Sequence, residues 1–350
     1  MVKKIIFFIT ALLLVIFSIE IGTRLIYFIK RGKTSYLMSQ KEVSRIRKDL
    51  PYEKNNNKQF VRGNFLIRNG YYTFNPEIKT LREGLNNIKL NSLGFRGSGF
   101  ERKIRILCLG GSSTYGHSTH DYSVRIPYPE MMDSFLNKGI KKRQQKYTVI
   151  NGGMEAFNIQ HIYNLLRDRE FIKKINPDML VINTFWNSIE QYENGLLVET
   201  IDNRFIRGFV KRSVFAFLSY RVLLFLEYNE LTGPFQSLCV YLDKICQIAE
   251  KRGISIILVN EPMLLDAQTW TAAPNNPNVH NKGAIIFKRF EKKYPGMVFF
   301  VPMPFFDRMD FKKDEVKKYF IDRGHLTMEG YAIEARILSD AIKDLTKSQW

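Results

Sequence analysis

From Lys103 to the C-terminus, short apolar and β-branched runs alternate with longer stretches whose apolar residues recur at three- and four-residue spacing. A short apolar run suits a strand covered on both faces, and the wider spacing suits an amphipathic helix laid against it. The alternation therefore predicts an α/β domain with a mainly parallel sheet. Strands are expected over Ile104 to Leu109, Tyr147 to Asn151, Met179 to Asn183, Ile254 to Asn260 and Met297 to Val301. The clearest helices are expected over Gln160 to Ile175, Gln236 to Lys251, Gly283 to Lys293 and Met328 to Leu345. Between Glu190 and Pro234 lie aromatic and leucine-rich pieces such as Val214 to Leu226, expected to form a helical insertion over one end of the sheet. Arg221 and Glu227 bracket a run there that is too short for a membrane span.

The N-terminus follows a different pattern. Lys3 and Lys4 precede an uncharged apolar run from Ile5 to Ile19, and after Glu20 and Arg24 the apolar character resumes through Ile29. The whole stretch is long enough for a transmembrane helix if Glu20 and Arg24 pair at the i, i+4 spacing near one interface. A cleaved signal peptide shares the basic head and apolar middle, but no small-x-small cleavage site follows Phe17, Ser18, Ile19 and Glu20, so an uncleaved anchor is expected. Lys3 and Lys4 argue for an inside N-terminus, whereas Lys30, Arg31 and Lys33 pull the other way. From Gly32 to Arg102 the chain is polar, with turn-rich pieces such as Asn55 to Asn57, and is expected to be a linker followed by a lead-in segment.

Composition narrows the function classes. A hydrophobic content of 45% in 350 residues supports a sizeable core. Cys239 and Cys246 sit seven apart in a helical pattern, roughly 10 Å and too far for a disulfide. No disulfide framework, zinc spacing, other metal site or cofactor pattern is visible. The formal net charge of +19 is spread in short clusters such as Lys141 to Arg143, which fits a solvated basic surface near anionic lipid. No nucleic-acid-binding motif accompanies the charge, so no nucleic-acid partner is expected.

In open α/β sheets ligands bind beyond the carboxyl ends of the strands. After the first expected strand stands Gly110-Gly111-Ser112-Ser113-Thr114-Tyr115-Gly116. A turn of this kind can cradle a phosphate, but there is no P-loop lysine, GxGxxG does not fit, and Thr114 stands where a GxSxG elbow needs glycine. Asn151 to Ala156 follow the second strand, and Thr184-Phe185-Trp186-Asn187-Ser188 follow the third. Near the C-terminus, Asp322-Arg323-Gly324-His325-Leu326 precede a helical stretch opened by Thr327. Taken singly, Ser112 also fits a helix cap, Asn187 a turn, and Asp322 a cap or a partner for Arg323. His117, His120, His161 and His280 have no comparable setting and are expected to be surface or structural.

The four polar stretches, in this order, resemble the four sequence blocks of the SGNH (GDSL-like) hydrolases, which centre on Ser, Gly, Asn and His. GGSST is similar to the nucleophile block with Ser112 at the catalytic position, and NGGMEA to the second block with Gly153 at its glycine. WNS is similar to the third with Asn187 at its asparagine, and DRGHLTMEGY to the last with Asp322 and His325. The likeness covers roughly Asn91 to Leu345, and even NSLGFRG, at Asn91 to Gly97, is similar to a lead-in of membrane-anchored members. Two departures stand out: the second block usually has a glycine where Ala156 lies, and the third usually reads GxND where Phe185 and Ser188 stand.

The resemblance implies a three-layer flavodoxin-like α/β fold with a mainly parallel five-stranded sheet, preceded by one transmembrane helix. The domains then run 1–31 for the anchor, 32–100 for the linker and lead-in, and 101–350 for the hydrolase-like domain with its insertion at about 190–234. It also implies a Ser112, His325 and Asp322 triad. Serine is a weak nucleophile, so a histidine must take its proton and an aspartate must orient the imidazolium. An oxyanion hole is implied from the Ser112 amide, the Gly153 amide and the Asn187 side chain; removing one such donor costs about 3 kcal/mol of barrier. The expected activity is ester hydrolysis, on acyl or acetyl groups of an envelope glycan or lipid, by an extracytoplasmic domain. An O-acyltransferase using the same triad and a catalytically silent membrane-tethered binding module are the alternatives. The insertion's Phe205, Phe209, Phe215 and Phe217 are candidates for an acyl pocket or for plain core.

Overall fold

The computed structural model describes residues 15, 18–23, 25, 60–62, 65–68, 71–75, 77–83, 86–97, 103–116, 126–141, 144–184, 188, 200–228, 234–260, 277–303, 318–321 and 325–349. In chain order the strands and helices are β1 (Phe60–Arg62), β2 (Phe65–Arg68), β3 (Tyr71–Phe74), β4 (Thr80–Glu83), β5 (Asn86–Lys89), β6 (Ile104–Gly110), α1 (Ser112–Tyr115), α2 (Tyr128–Leu136), β7 (Tyr147–Asn151), α3 (Ile159–Arg167), α4 (Arg169–Ile175), β8 (Met179–Asn183), α5 (Arg204–Arg212), α6 (Val214–Tyr228), α7 (Pro234–Glu250), β9 (Ser255–Val259), α8 (Pro277–Lys293), β10 (Val298–Val301) and α9 (Met328–Gln349). They fall into two compact units: an α/β unit of Pro51–Ser188 with Leu242–Trp350, and a helical unit of Met1–Leu50 with Ile189–Tyr241.

The α/β unit holds a five-stranded sheet of order β10-β9-β8-β6-β7 in which every pairing is parallel. Counted along the chain this is the 2-1-3-4-5 order of flavodoxin-like sheets, with the order reversing at β6. The strands are apolar without alternation because both faces are covered. Ile106 and Cys108 meet Tyr128 and Met132 of α2 and Ala335 and Leu338 of α9 on one face, while Leu107 and Leu109 are buried as well. Burying each such aliphatic side chain contributes roughly 1.5–3 kcal/mol. The five expected strands fall where they were read, to within a residue or so at each end.

The helix expected over Gln160 to Ile175 is instead two helices that break at Asp168. Asp168 leaves helical geometry at ψ 96, its Oδ1 accepts the Phe171 amide at 3.1 Å, and its Oδ2 accepts the Tyr71 hydroxyl at 2.8 Å. A capping aspartate tied to a distant tyrosine thus outweighs an uninterrupted apolar period. Helix α8 begins at Pro277, earlier than expected, because Pro277 to Lys282 has no apolar period to read, while proline fits a first helical turn.

The lead-in is not featureless. Strands β1, β2 and β3 form one antiparallel sheet, and β4 with β5 another. Tyr71, Tyr72, Phe74 and Phe95 are buried, with Tyr72 edge-on to Phe157 and Phe95 edge-on to Phe171. Gly94 sits at φ +77, and a Cβ there would lie 1.8 Å from the Phe74 carbonyl oxygen, so this turn requires glycine.

In the helical unit, residues 18–23 are helical, and Glu20 Oε2 accepts the Ser213 hydroxyl at 2.7 Å and the Phe215 amide at 2.9 Å. The charge that interrupts the N-terminal apolar run therefore serves the first turn of α6, where a carboxylate complements orphan amides. Its expected partner Arg24, like most of the run from Ile5 to Ile29, lies outside the described residues. Among the described residues no helix is long and apolar enough to cross a membrane. Of the four insertion phenylalanines, Phe217 is core, and Phe205, Phe209 and Phe215 are exposed.

Candidate active site

At the reversal of strand order, β6 ends at Gly110, paired with Asn183 at the end of β8. One helical turn follows, with the Tyr115 amide donating to the Gly111 carbonyl and Gly116 closing at φ 87. Ser113, Thr114 and Tyr115 turn inward, and Ser112 alone of the four stays partly exposed. The Ser112 Oγ lies 2.9 Å from His325 Nε2, joining residues 213 apart in the chain.

His325 sits on a loop that folds back before α9. Ile321 donates its amide to the His325 carbonyl at 2.9 Å, and Phe320 bridges Leu326. Thr327 ties both sides of this loop: its amide donates to Tyr319, its hydroxyl to Lys318, and the same oxygen accepts the Gly330 amide at 3.2 Å as the N-cap of α9. The residues on either side of the imidazole are therefore tied back to Lys318, Tyr319 and Ile321. Asp322 and Asn187 lie outside the described residues.

Gly153 lies against the turn that carries Ser112. A Cβ at this position would stand 2.4 Å from the Tyr115 amide nitrogen and 2.6 Å from the Thr114 carbonyl carbon, which only glycine avoids. Its own amide, expected as an oxyanion donor, donates to Asn151 Oδ1 at 3.0 Å, and the neighbouring Met154 amide donates to the Gly110 carbonyl. Ala156 adopts φ 55, the left-handed conformation that a glycine at this position would take without a Cβ penalty. Ser188, in place of an aspartate, is buried; its hydroxyl donates to the Thr184 carbonyl and accepts the Ile159 amide at 3.0 Å, stitching the turn after β8 to the start of α3.

Two buried polar groups beneath the turn were not singled out by sequence reasoning. Arg96, 4% exposed, donates from Nε to Glu130 Oε1 at 2.5 Å and from Nη1 to the Tyr115 carbonyl at 3.2 Å. It thereby satisfies the C-terminal end of α1 and ties the lead-in to the turn that carries Ser112, while burial pushes the Glu130 carboxyl up despite the guanidinium beside it. Its only signal in the sequence was its place in NSLGFRG. Deeper, Asn183 Nδ2 donates to Glu334 Oε1 at 2.8 Å, both residues being fully buried. Burial and this carboxylate push the Cys108 thiol and the Tyr128 hydroxyl up, so neither is a nucleophile at neutral pH. None of the three cysteines forms a disulfide, and all are buried.

His161 is structural, as expected. It stacks on Phe157 at 5.1 Å, and its Nδ1 accepts the Asn158 amide in a capping box at the start of α3. Burial lowers its pKa to about 4. Chemically, a serine hydroxyl in contact with an imidazole at the open end of a parallel sheet can undergo nucleophilic acyl transfer.

No protein-family model matches the sequence, and no curated protein sequence does. Solved structures similar to this chain include a lipase/acylhydrolase from Enterococcus faecalis, 15% identical, covering 69% of this chain and 96% of that one with a TM-score of 0.43. An acetylxylan esterase from Geobacillus stearothermophilus is 13% identical over 70% of this chain and 96% of its own, with a TM-score of 0.44. A carbohydrate acetylesterase from Sinorhizobium meliloti is 13% identical over 69% of this chain and 100% of its own, with a TM-score of 0.41. At such identities and scores, the reading of the site rests on its own geometry.

Proposed function

We propose that the protein is a serine esterase that forms an acyl-enzyme on Ser112, with His325 as general base and Asp322 orienting it. The observation that carries this reading is the 2.9 Å contact between Ser112 Oγ and His325 Nε2. In attack, the serine proton passes to Nε2 while Oγ bonds to the ester carbonyl carbon; the imidazolium then protonates the departing alkoxide. Water, deprotonated by the same nitrogen, releases the acid and restores Ser112. The developing oxyanion is met by the Ser112 amide, the Asn187 side chain and the Gly153 amide. Gly153 contributes by sharing its N–H between Asn151 and the oxyanion, since that N–H already has an acceptor.

The apolar stretch from Ile5 to Ile29 tethers the enzyme to a membrane, with the catalytic unit outside. The substrate class is then an acyl or acetyl ester of an envelope glycan or lipid, within reach of a tethered site, and the reaction needs no cofactor. The test is labelling of the full-length protein with a fluorophosphonate probe, together with turnover of acetyl and longer acyl esters with and without glycan acceptors. Ser112→Ala and His325→Ala are each expected to lose labelling and at least about a thousandfold in turnover, with little further loss when combined, because the groups act as a unit. Retained activity in the Ser112→Ala protein would sink the reading.

A further inference from the structure

Helix α6 has two apolar faces. Phe217, Leu224 and Tyr228, at a spacing of seven and four, are buried inside the helical unit. The opposite stripe, Phe215, Val222 and Leu226, repeats that spacing with only Ser219 to interrupt it, and Val222 and Leu226 are 57% and 67% exposed. A helix that is apolar on opposite faces is normally enclosed. On α5, Val210 is buried whereas Phe205 and Phe209, one turn apart, are 86% and 54% exposed. Residues 204–212 also carry Arg204, Arg207, Lys211 and Arg212 and no acidic residue. Exposed apolar side chains continue onto the N-terminal helical residues Val15, Ile19, Ile21 and Leu25 of the same unit, to which α6 is joined through Glu20.

We propose that α5 and the outer stripe of α6 form a membrane-docking surface that lies in the headgroup layer of an anionic phospholipid bilayer, a contact that adds to the N-terminal tether beside it. An amphipathic helix with phenylalanines on one side and only cations among its charges has the composition that binds such an interface in plane. Apolar stripes of this extent mark a surface that something covers. A second copy is disfavoured as the occupant, because it would bring four cations of α5 against the same four in a chain of net charge +19. The lipid headgroups supply the opposite sign, and the acyl boundary takes up Phe205, Phe209, Val222 and Leu226.

The test uses the full-length protein with Phe209→Cys, Leu226→Cys or, as a control in the α/β unit, the exposed Lys138→Cys. The native cysteines are buried, so a bimane label goes to the new thiol. In vesicles of phosphatidylcholine with about one-third phosphatidylglycerol, nitroxide-bearing lipids should quench bimane at 209 and 226 several-fold and leave 138 unchanged. Quenching should fall at least twofold in pure phosphatidylcholine. If the protein floats with the vesicles while 209 and 226 stay as open to aqueous iodide as 138, the docking surface is wrong although the tether stands. Energy transfer between labelled copies in place of lipid quenching would assign the stripe to a dimer and overturn the proposal. Equal quenching without phosphatidylglycerol would overturn the anionic requirement. Fluorophosphonate labelling of Ser112 in the same samples is expected to be unchanged, which separates failure here from failure of the esterase reading.

Discussion

In the α/β unit the cation Arg96 is almost fully buried, along with Glu334 and His161, while in the helical unit Phe205 and Leu226 face outward. Each placement costs free energy in water, and the buried groups offset it through specific partners. The buried polar groups have hydrogen bonds: Arg96 to Glu130 and Tyr115, Glu334 to Asn183, His161 to Asn158. Arg96 braces the turn that carries Ser112, and His161 the start of α3. The outward phenylalanines need another phase, and the bilayer proposed for them supplies it. Departures from apolar-inside, polar-outside thus single out one region in each unit, through opposite physics.

The sharpest way to break this contrast is to remove the buried cation. Arg96→Ala leaves Glu130 partly buried without its partner and is expected to lower stability by about 2–3 kcal/mol in urea denaturation, at the lower end for a broken buried pair because Glu130 keeps some solvent contact. Turnover should fall as well, since the Tyr115 carbonyl loses its donor at the end of the nucleophile turn. A change under about 0.5 kcal/mol would mean that Arg96 is no brace.

A subtler probe is pH. The His161 pKa is depressed from 6.5 to about 4 in the folded protein, so its neutral form supports the fold fully above pH 6.5. As pH falls through that value the unfolded chain takes up the proton first, and stability should drop by about 1.4 kcal/mol per unit until about pH 4, with no further loss below. Denaturation curves at pH 7 and 4.5 should show a markedly shallower loss in His161→Gln than in the unaltered protein. Equal slopes would place the titration elsewhere.

The smallest expected effect is the most pointed for the helical unit. Phe205→Ser, in protein free of lipid, should change stability by less than about 0.5 kcal/mol, because an outward side chain leaves no cavity when removed. A loss of several kcal/mol would show that Phe205 is covered within the molecule, and the contrast between the two units would collapse.

Much of the α/β unit was legible. Five apolar runs separated by amphipathic ones admit few arrangements other than a parallel sheet, and polar residues at strand ends pick out the site. Ser112, Gly153 and His325 were brought together as candidates by the resemblance to the SGNH blocks, and the structure sets Ser112 against His325 and Gly153 against the turn that carries Ser112. Arg96, Glu130 and Glu334 could not, because an isolated charge in a polar lead-in or on a helix looks solvated until its partner is found far along the chain. The outward set of α6 was equally hidden, since Val214 to Leu226 is apolar at nearly every position and one face cannot be told from the other by period.

By itself the sequence determined the strand positions, the polar turn after each and the apolar N-terminal stretch, because these follow from local periodicity and from residue types within a few positions of one another. Only the tertiary structure decided that Ser112 meets His325 across 213 residues, that Glu20 caps α6, and that Asn183 meets Glu334. Those are hydrogen bonds of definite length and direction between groups far apart in the chain, and no local pattern encodes which partner each will find.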